Sequence, residues 1–268
     1  MPRPLTRARL AALAAVTLIL VVTGTASAAG AAPHWTYEGE EGPEHWAELD
    51  EAYKLCADAS RQSPIDLGHA TGAHLPSLGY RFAKGDAVVS NNGHTVMAAA
   101  NAADPAQTNP ADTIVIDHRR YALLQMHFHV KSEHVVDGRH HPAEAHFVYR
   151  SKSGAIGVVG VFLDRGERTN PAWQPFVDAL ATPQGATRTV SLDWNAMLPR
   201  KRTTVRYRGS LTTPPCSEGV EWAVETTAVR VSQGQLRALA AAYDHNDRPV
   251  QPVGKRRVLT DDWALADH

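Results

Sequence analysis

The chain has 268 residues, with 27 lysines and arginines against 28 aspartates and glutamates and a formal charge of −1. A balance so close to neutral argues against nucleic acid as a partner, and two cysteines are too few for a four-thiolate zinc centre.

At the start of the chain, Arg3, Arg7 and Arg9 precede an apolar run from Leu10 to Val22 and the small-residue sequence Ala26-Ser27-Ala28. This is the pattern of a cleaved export leader. Residues 1–28 are therefore expected to be a signal peptide, and residues 29–268 one exported domain, periplasmic or extracellular. The apolar run is short for a membrane span, so the mature form should have none. Loss of the leader leaves 24 basic against 28 acidic residues, and no Gly/Ser linker or repeat divides the mature chain. Cys56 and Cys216, the only thiols, are expected to pair in an oxidising compartment. Closing so long a loop stabilises by roughly 4 kcal/mol in the chain-entropy picture; two free thiols are the alternative.

Strand-like runs recur along the domain, at Asp86 to Ser90, His94 to Ala98, Thr113 to Ile116, Tyr121 to Val130, Ala143 to Arg150, Ile156 to Leu163, Thr203 to Arg208 and Val220 to Val231. The run IGVVGVFL is apolar on both faces, as in a central strand covered on both sides. Two helices are expected. One spans Pro171 to Ala181 with Asn170 as its cap; the other spans Ser232 to Tyr243, where Ser232 and Gln235 form a capping box. The fold class is mainly β with peripheral helices.

Within YALLQMHFHV, period-two alternation puts Leu123, Gln125, His127 and His129 on one face and Leu124, Met126, Phe128 and Val130 on the other. An antiparallel return through AEAHFVYR brings His146 alongside the pair. Three imidazoles so placed suit one Zn2+ ion, with the fourth tetrahedral position left for water as in catalytic sites. Gln125 and Glu144, each two residues before a ligand on the same face, suit the outer acceptors that fix imidazole orientation. His-x-His alone carries little weight among 14 histidines; the third histidine and the two acceptors give it weight.

With these strands placed, the chain from Trp35 to about Leu259 resembles the α-class carbonic anhydrases. The matching stretches are WTYEGEEGPEHW, QSPIDL, NNGHTV, QMHFH, SEH, EAHFV, SLTTPPC and RPVQP, in that order. The resemblance implies a single domain on a large, twisted, mostly antiparallel central sheet, with zinc on His127, His129 and His146. It also implies reversible hydration of carbon dioxide to bicarbonate and a proton by zinc-bound hydroxide. Gln125 and Glu144 would orient two ligands and a backbone carbonyl near Lys255 the third. Thr212 and Glu133 match the pair that orients the hydroxide, and His94 matches the proton shuttle. Val148, Val158, Leu211, Val220 and Trp222 match the substrate pocket, Thr213 the substrate site, and Tyr37 and Asn92 the water path.

Met97 departs from the pattern, because the family usually has an amide there and a thioether cannot replace its hydrogen bonds. The resemblance also implies inhibition by sulfonamides and anions, and raises a homodimer for which the sequence shows no interface signature. Three other readings compete. A zinc peptidase lacks its His-Glu-x-x-His helix here. A zinc scavenger would need a longer histidine tract than His140-His141. A non-catalytic zinc-binding module of the same fold would have lost residues that this chain keeps.

Overall fold

A computed structural model describes residues 33–57 and 60–266; the expected leader over residues 1–28 lies outside the described residues. In chain order the strands are β1 (Thr71–Gly72), β2 (Lys84–Asn91), β3 (Val96–Ala99), β4 (Asn109–Ile116), β5 (Arg119–His129), β6 (Val135–Val136), β7 (Arg139–His140), β8 (Ala143–Ser151), β9 (Ile156–Gly166), β10 (Thr187–Asp193), β11 (Thr204–Ser210), β12 (Glu218–Ser232) and β13 (Leu259–Thr260). The helices are α1 (Trp46–Leu49), α2 (Gln174–Val177) and α3 (Gln233–Ala242), with two 3-10 turns at Gly39–Glu41 and Glu51–Ala57.

Eleven strands form one sheet in the order β1-β13-β11-β12-β9-β8-β5-β3-β2-β10, with β4 added alongside β5. The pairings are antiparallel except β12 with β9 and β1 with β13. As its apolar run predicts, β9 lies mid-sheet and is buried over most of its length. One face carries the larger core, including Met126, Phe128, Phe147, Val159, Trp173 and Trp194. The other carries a smaller cluster that includes Val148, Val158, Val220 and Trp222. Among the described residues no helix is long and apolar enough to cross a membrane.

Several expectations need correction. The helix expected over 171–181 shrinks to the single turn of α2, flanked by i→i+3 hydrogen bonds such as Trp173 N–H to Asn170 and Leu180 N–H to Val177. Pro171 and Pro175 remove two N–H donors from any longer ladder. Asn170 still works locally, its Oδ1 accepting from the Ala172 N–H at 3.1 Å. By contrast α3 has the expected capping box of Ser232 and Gln235.

Strand β3 begins at Val96 rather than His94, because Asn92 Oδ1 accepts the N–H groups of His94 and Thr95, each at 2.9 Å, and holds them in a turn. In β5 a register shift between Leu123 and Gln125 breaks strict alternation. Leu123 therefore joins Met126 and Phe128 in the larger core instead of sharing a face with the histidines. Strand β10 at the sheet edge, TRTVSLD, was not expected; its exposed, polar residues give no buried-strand signal.

Glu225 on β12 is fully buried. It accepts a hydrogen bond from the Tyr80 hydroxyl, while its Oε2 has no partner among the described residues. Burial pushes its carboxyl up to about 7. The folded state then holds a proton that the unfolded chain, near 4.5, gives up. This contribution is full below the unfolded value and is lost as pH rises through about 7. Glu225→Gln should melt above the wild type at pH 8, with the gap closing at pH 5; an equal difference at both pH values, read by calorimetry, would contradict this.

Candidate metal centre

The site is built on the pairing of β5 with β8. His127 sits opposite His146, Phe128 opposite Ala145, and Gln125 opposite Val148. The row continues across the sheet, His146 lying opposite Gly160 and Gly160 opposite Val224. One ring nitrogen from each of His127, His129 and His146 comes together, all within 4.8 Å of one another.

Which nitrogen faces inward is set by the partner of the other. His127 Nδ1–H donates to Gln125 Oε1 at 2.9 Å. His129 Nδ1–H donates to the backbone carbonyl of Asn246 at 2.6 Å, and His146 Nε2–H donates to Glu144 Oε1 at 2.9 Å. Each neutral ring is left with one lone pair for the interior: Nε2 of His127, Nε2 of His129 and Nδ1 of His146. Burial lowers the proton affinity of all three rings, reinforced at His127 by the neighbouring imidazoles. This favours the neutral form, the one able to ligate a metal.

Two buried atoms point the same way. Among the described residues, His129 Nε2 has no hydrogen-bond partner, and neither does Glu133 Oε2. The latter lies 3.5 Å from His129 Nε2 and 3.8 Å from His146 Nδ1. Three lone pairs and a carboxylate oxygen around one space are a poor arrangement for neutral packing and a good one for a divalent cation. The three-imidazole donor set fits zinc.

The supporting shell goes deeper than the sequence indicated. Burial alone would raise the Glu144 carboxyl, but His134 and His146 hold it well below the usual carboxylate range. Glu144 accepts from the His134 backbone N–H and from His134 Nδ1–H, both at 2.8 Å, as well as from His146. His134 Nε2 lies 2.6 Å from the Tyr207 hydroxyl, which donates to Ser63. Glu133 accepts the Arg248 N–H at 2.9 Å. Burial raises its carboxyl to about 7, against which His146, the Arg248 N–H and the nearby Thr212 hydroxyl act.

The acceptor for His129 requires a correction. A carbonyl near Lys255 was expected, and the carbonyl is that of Asn246. Asn246 is held there by its own side chain, which accepts from Val130 N–H at 2.8 Å and donates to the Phe128 carbonyl at 3.0 Å. Asn246 stands just before the RPVQP motif, so proximity to that motif was the only available signal.

Val148, Val158, Val220 and Trp222 are buried in one apolar cluster, with half-buried Leu211 packed against it. Trp222 also packs edge-on to His146 at 4.9 Å. The Thr213 carbonyl accepts the Cys216 N–H at 2.8 Å, and Cys216 is disulfide-bonded to Cys56. Tyr37 titrates well above its ordinary range through desolvation and the charge of Glu133. Asn92 positions His94 through the turn described above. His94 stacks on Trp35, a contact that sequence did not suggest, at 3.7 Å between ring centroids and 6° between planes. Burial lowers its proton affinity. Met97 lies directly opposite His127 across β3 and β5.

Gly160 leaves room for the Glu144 carboxylate: a Cβ there would lie 2.8 Å from Glu144 Oε1 and 3.2 Å from Val224. Gly160→Ala should displace Glu144 from His146 and weaken zinc retention by roughly tenfold or more. Competition with a chelating dye measures this; wild-type affinity would show that the carboxylate is not needed where it stands.

The sequence model of the family described as eukaryotic-type carbonic anhydrase matches residues 41–262. A protein of Klebsiella pneumoniae named carbonic anhydrase is 41% identical over 85% of this chain and 91% of its own length. One of Neisseria gonorrhoeae with the same name is 34% identical over 96% of this chain and 98% of its own. Among solved structures, the α-carbonic anhydrase of Thermovibrio ammonificans in complex with sulfanilamide superposes with a TM-score of 0.79 at 39% identity. That match covers 85% of this chain and 100% of the other.

Proposed function

The chain belongs to the eukaryotic-type carbonic anhydrase family, and we propose that, as an exported enzyme of residues 29–268, it hydrates carbon dioxide reversibly with one zinc ion at His127, His129 and His146. The observation that carries the zinc assignment is the division of labour in each ring, with one nitrogen tied to a fixed acceptor and the other turned inward. Bound there, zinc supplies Lewis acidity that lowers the pKa of water from about 15.7 to about 7, a magnitude known from carbonic anhydrases as a class and not obtained from this chain.

The chain's own residues then have distinct tasks. Gln125, Glu144 and the Asn246 carbonyl hold the three rings in the ligating tautomer. Thr212 donates its hydroxyl proton to ionised Glu133, and so keeps its lone pairs for accepting the proton of the nucleophile and aiming its attack. The Arg248 N–H fixes Glu133 for that purpose. Val148, Val158, Leu211, Val220 and Trp222 supply an apolar wall for a substrate that is small and uncharged, with Thr213 beside it. The product proton leaves along Tyr37 and Asn92 to His94, an imidazole being the side chain whose ordinary range lets it take and release a proton near neutrality. The disulfide between Cys56 and Cys216 agrees with export to an oxidising compartment.

Stopped-flow carbon dioxide hydration on the mature protein tests this reading. Chelation should abolish turnover, one equivalent of zinc should restore it, and sulfanilamide should inhibit it. A protein that binds zinc stoichiometrically without turnover would be a non-catalytic binding module of the same fold. Met97→Gln should change sulfonamide affinity or turnover modestly, by a few-fold at most; identical kinetics would show that Met97 does not order the cavity.

A further inference from the structure

Away from the metal centre, the paired ends of β4, β5 and β8 border a cavity of about 580 Å3 that is lined by Arg119, Arg120, Arg150 and Lys152 and by no carboxylate. The register explains the convergence. Thr113 lies opposite Ala122 and Ala122 opposite Arg150, so these three form one row across the sheet. Arg120 shares the face of Ala122 by alternation, and Lys152 follows Ser151, the residue opposite Tyr121. Ala122 precedes His127 by five residues, roughly 16 Å along a strand. None of the residues that line the cavity belongs to the metal centre.

These cations lack acidic partners. Arg119, Arg120 and Lys152 are exposed and make no ion pair among the described residues. Arg150 is half-buried and uses only Nη2, which donates to the Ala106 carbonyl and to Gln107 Oε1, both at 3.4 Å. The acids on the adjoining segments are engaged elsewhere. Asp112 accepts from the Ala83 N–H at 2.7 Å and from Asn109 Nδ2 at 2.8 Å. Asp117 lies 3.5 Å from Arg206 Nη1, and Asp104 accepts the Ala106 N–H at 3.1 Å. Like charges held together without a counter-charge cost free energy that a bound anion relieves. The excess is local, because the chain without its expected leader has 24 basic against 28 acidic residues.

We propose that this cavity binds a small organic phosphomonoester. Three guanidiniums present planar donor forks that match phosphoryl oxygens, and Lys152 adds a point charge. A phosphomonoester carries close to two negative charges at neutral pH, so it answers four unpaired cations better than a single carboxylate does. Thr108 and Ser153 line the same cavity and contribute hydroxyl groups. Its volume lies within the range of roughly 300–1,000 Å3 common for small-molecule sites, well beyond what a bare phosphate fills. Pro110 and half-buried Ala122 give the organic part of the ligand an apolar surface to lie against.

Titration calorimetry on the zinc-loaded mature protein at low salt, with phenyl phosphate as the probe, decides the matter. Binding should saturate at one site per chain and persist after zinc is chelated. Arg120→Ala and Arg150→Ala should each weaken it by roughly tenfold or more. Lys152→Ala, in an exposed turn where loss of fold is not at issue, should weaken it in the same direction. Arg237→Ala removes an equal charge from the exposed side of α3 and should leave the affinity unchanged. Inorganic phosphate should bind at least roughly tenfold more weakly than the probe. Absence of saturable binding overturns the site, and so does an equal loss in Arg237→Ala, which marks general attraction between charges. Loss of binding on chelation places the anion at the metal centre and overturns it as well. Inorganic phosphate binding as tightly as phenyl phosphate overturns the organic ligand in favour of the bare ion.

Discussion

The pairing of β5 with β8 is the constraint on which the rest of the site depends. Side chains alternate along a strand, so a one-residue slip would turn His146 away from His127 and into the larger core, and would expose Ala145 and Phe147 in exchange. That exchange is costly, because Met126, Phe128 and Phe147 are fully buried on the opposite face. Apolar packing beneath the sheet thus fixes the position of the three imidazoles above it. The bulge before Gln125 belongs to the same design, since it lets Leu123 join that core while Gln125 and both histidines of β5 stay on the site face.

Once register is fixed, the difficulty of the site is electrostatic. Three imidazoles and two carboxylates lie in or beside one largely buried space, an arrangement that costs free energy unless each polar atom is satisfied. Glu144 meets that requirement with three hydrogen bonds and serves His134 as well as His146. Glu133 meets it only in part: Oε1 has the Arg248 N–H, while Oε2 faces the inward nitrogens. The incomplete satisfaction is localised where a cation would complete it, and the fully bonded shell around it keeps the rings from rotating to find other partners.

Arg248 connects this centre to the disulfide. Its guanidinium is fully buried, with Nη1 on Gln62 and the Ser63 carbonyl and Nη2 on the Cys56 carbonyl, while its backbone N–H holds Glu133. Cys56 is disulfide-bonded to Cys216, a residue of the SLTTPPC segment that also carries Thr212 and Thr213. The N-terminal segment packs on the same cluster and brings Trp35 flat against His94. One buried cation and one cross-link therefore tie together the segment that carries Thr212 and Thr213, the Glu133 carboxylate and the arm that packs on His94.

Local pattern by itself determined the central strands, the capping box of α3, and the shared face of Gln125, His127 and His129, because alternation and capping depend on residues near in sequence; the polar edge strand β10 escaped it. It also singled out the three histidines that the structure brings together, since the motif EAHFV placed a third histidine on the adjacent strand. It misjudged elements where hydrogen bonding competes with periodicity: the prolines that shorten α2, the Asn92 turn that delays β3, and the bulge at Leu124. Only the tertiary structure decided that Asn246 holds His129, that Trp35 stacks on His94, and that the His34 ring lies near that of His94. Those contacts join residues 117, 59 and 60 positions apart, and such partners are chosen by how packed elements meet in space, which no short window of sequence encodes.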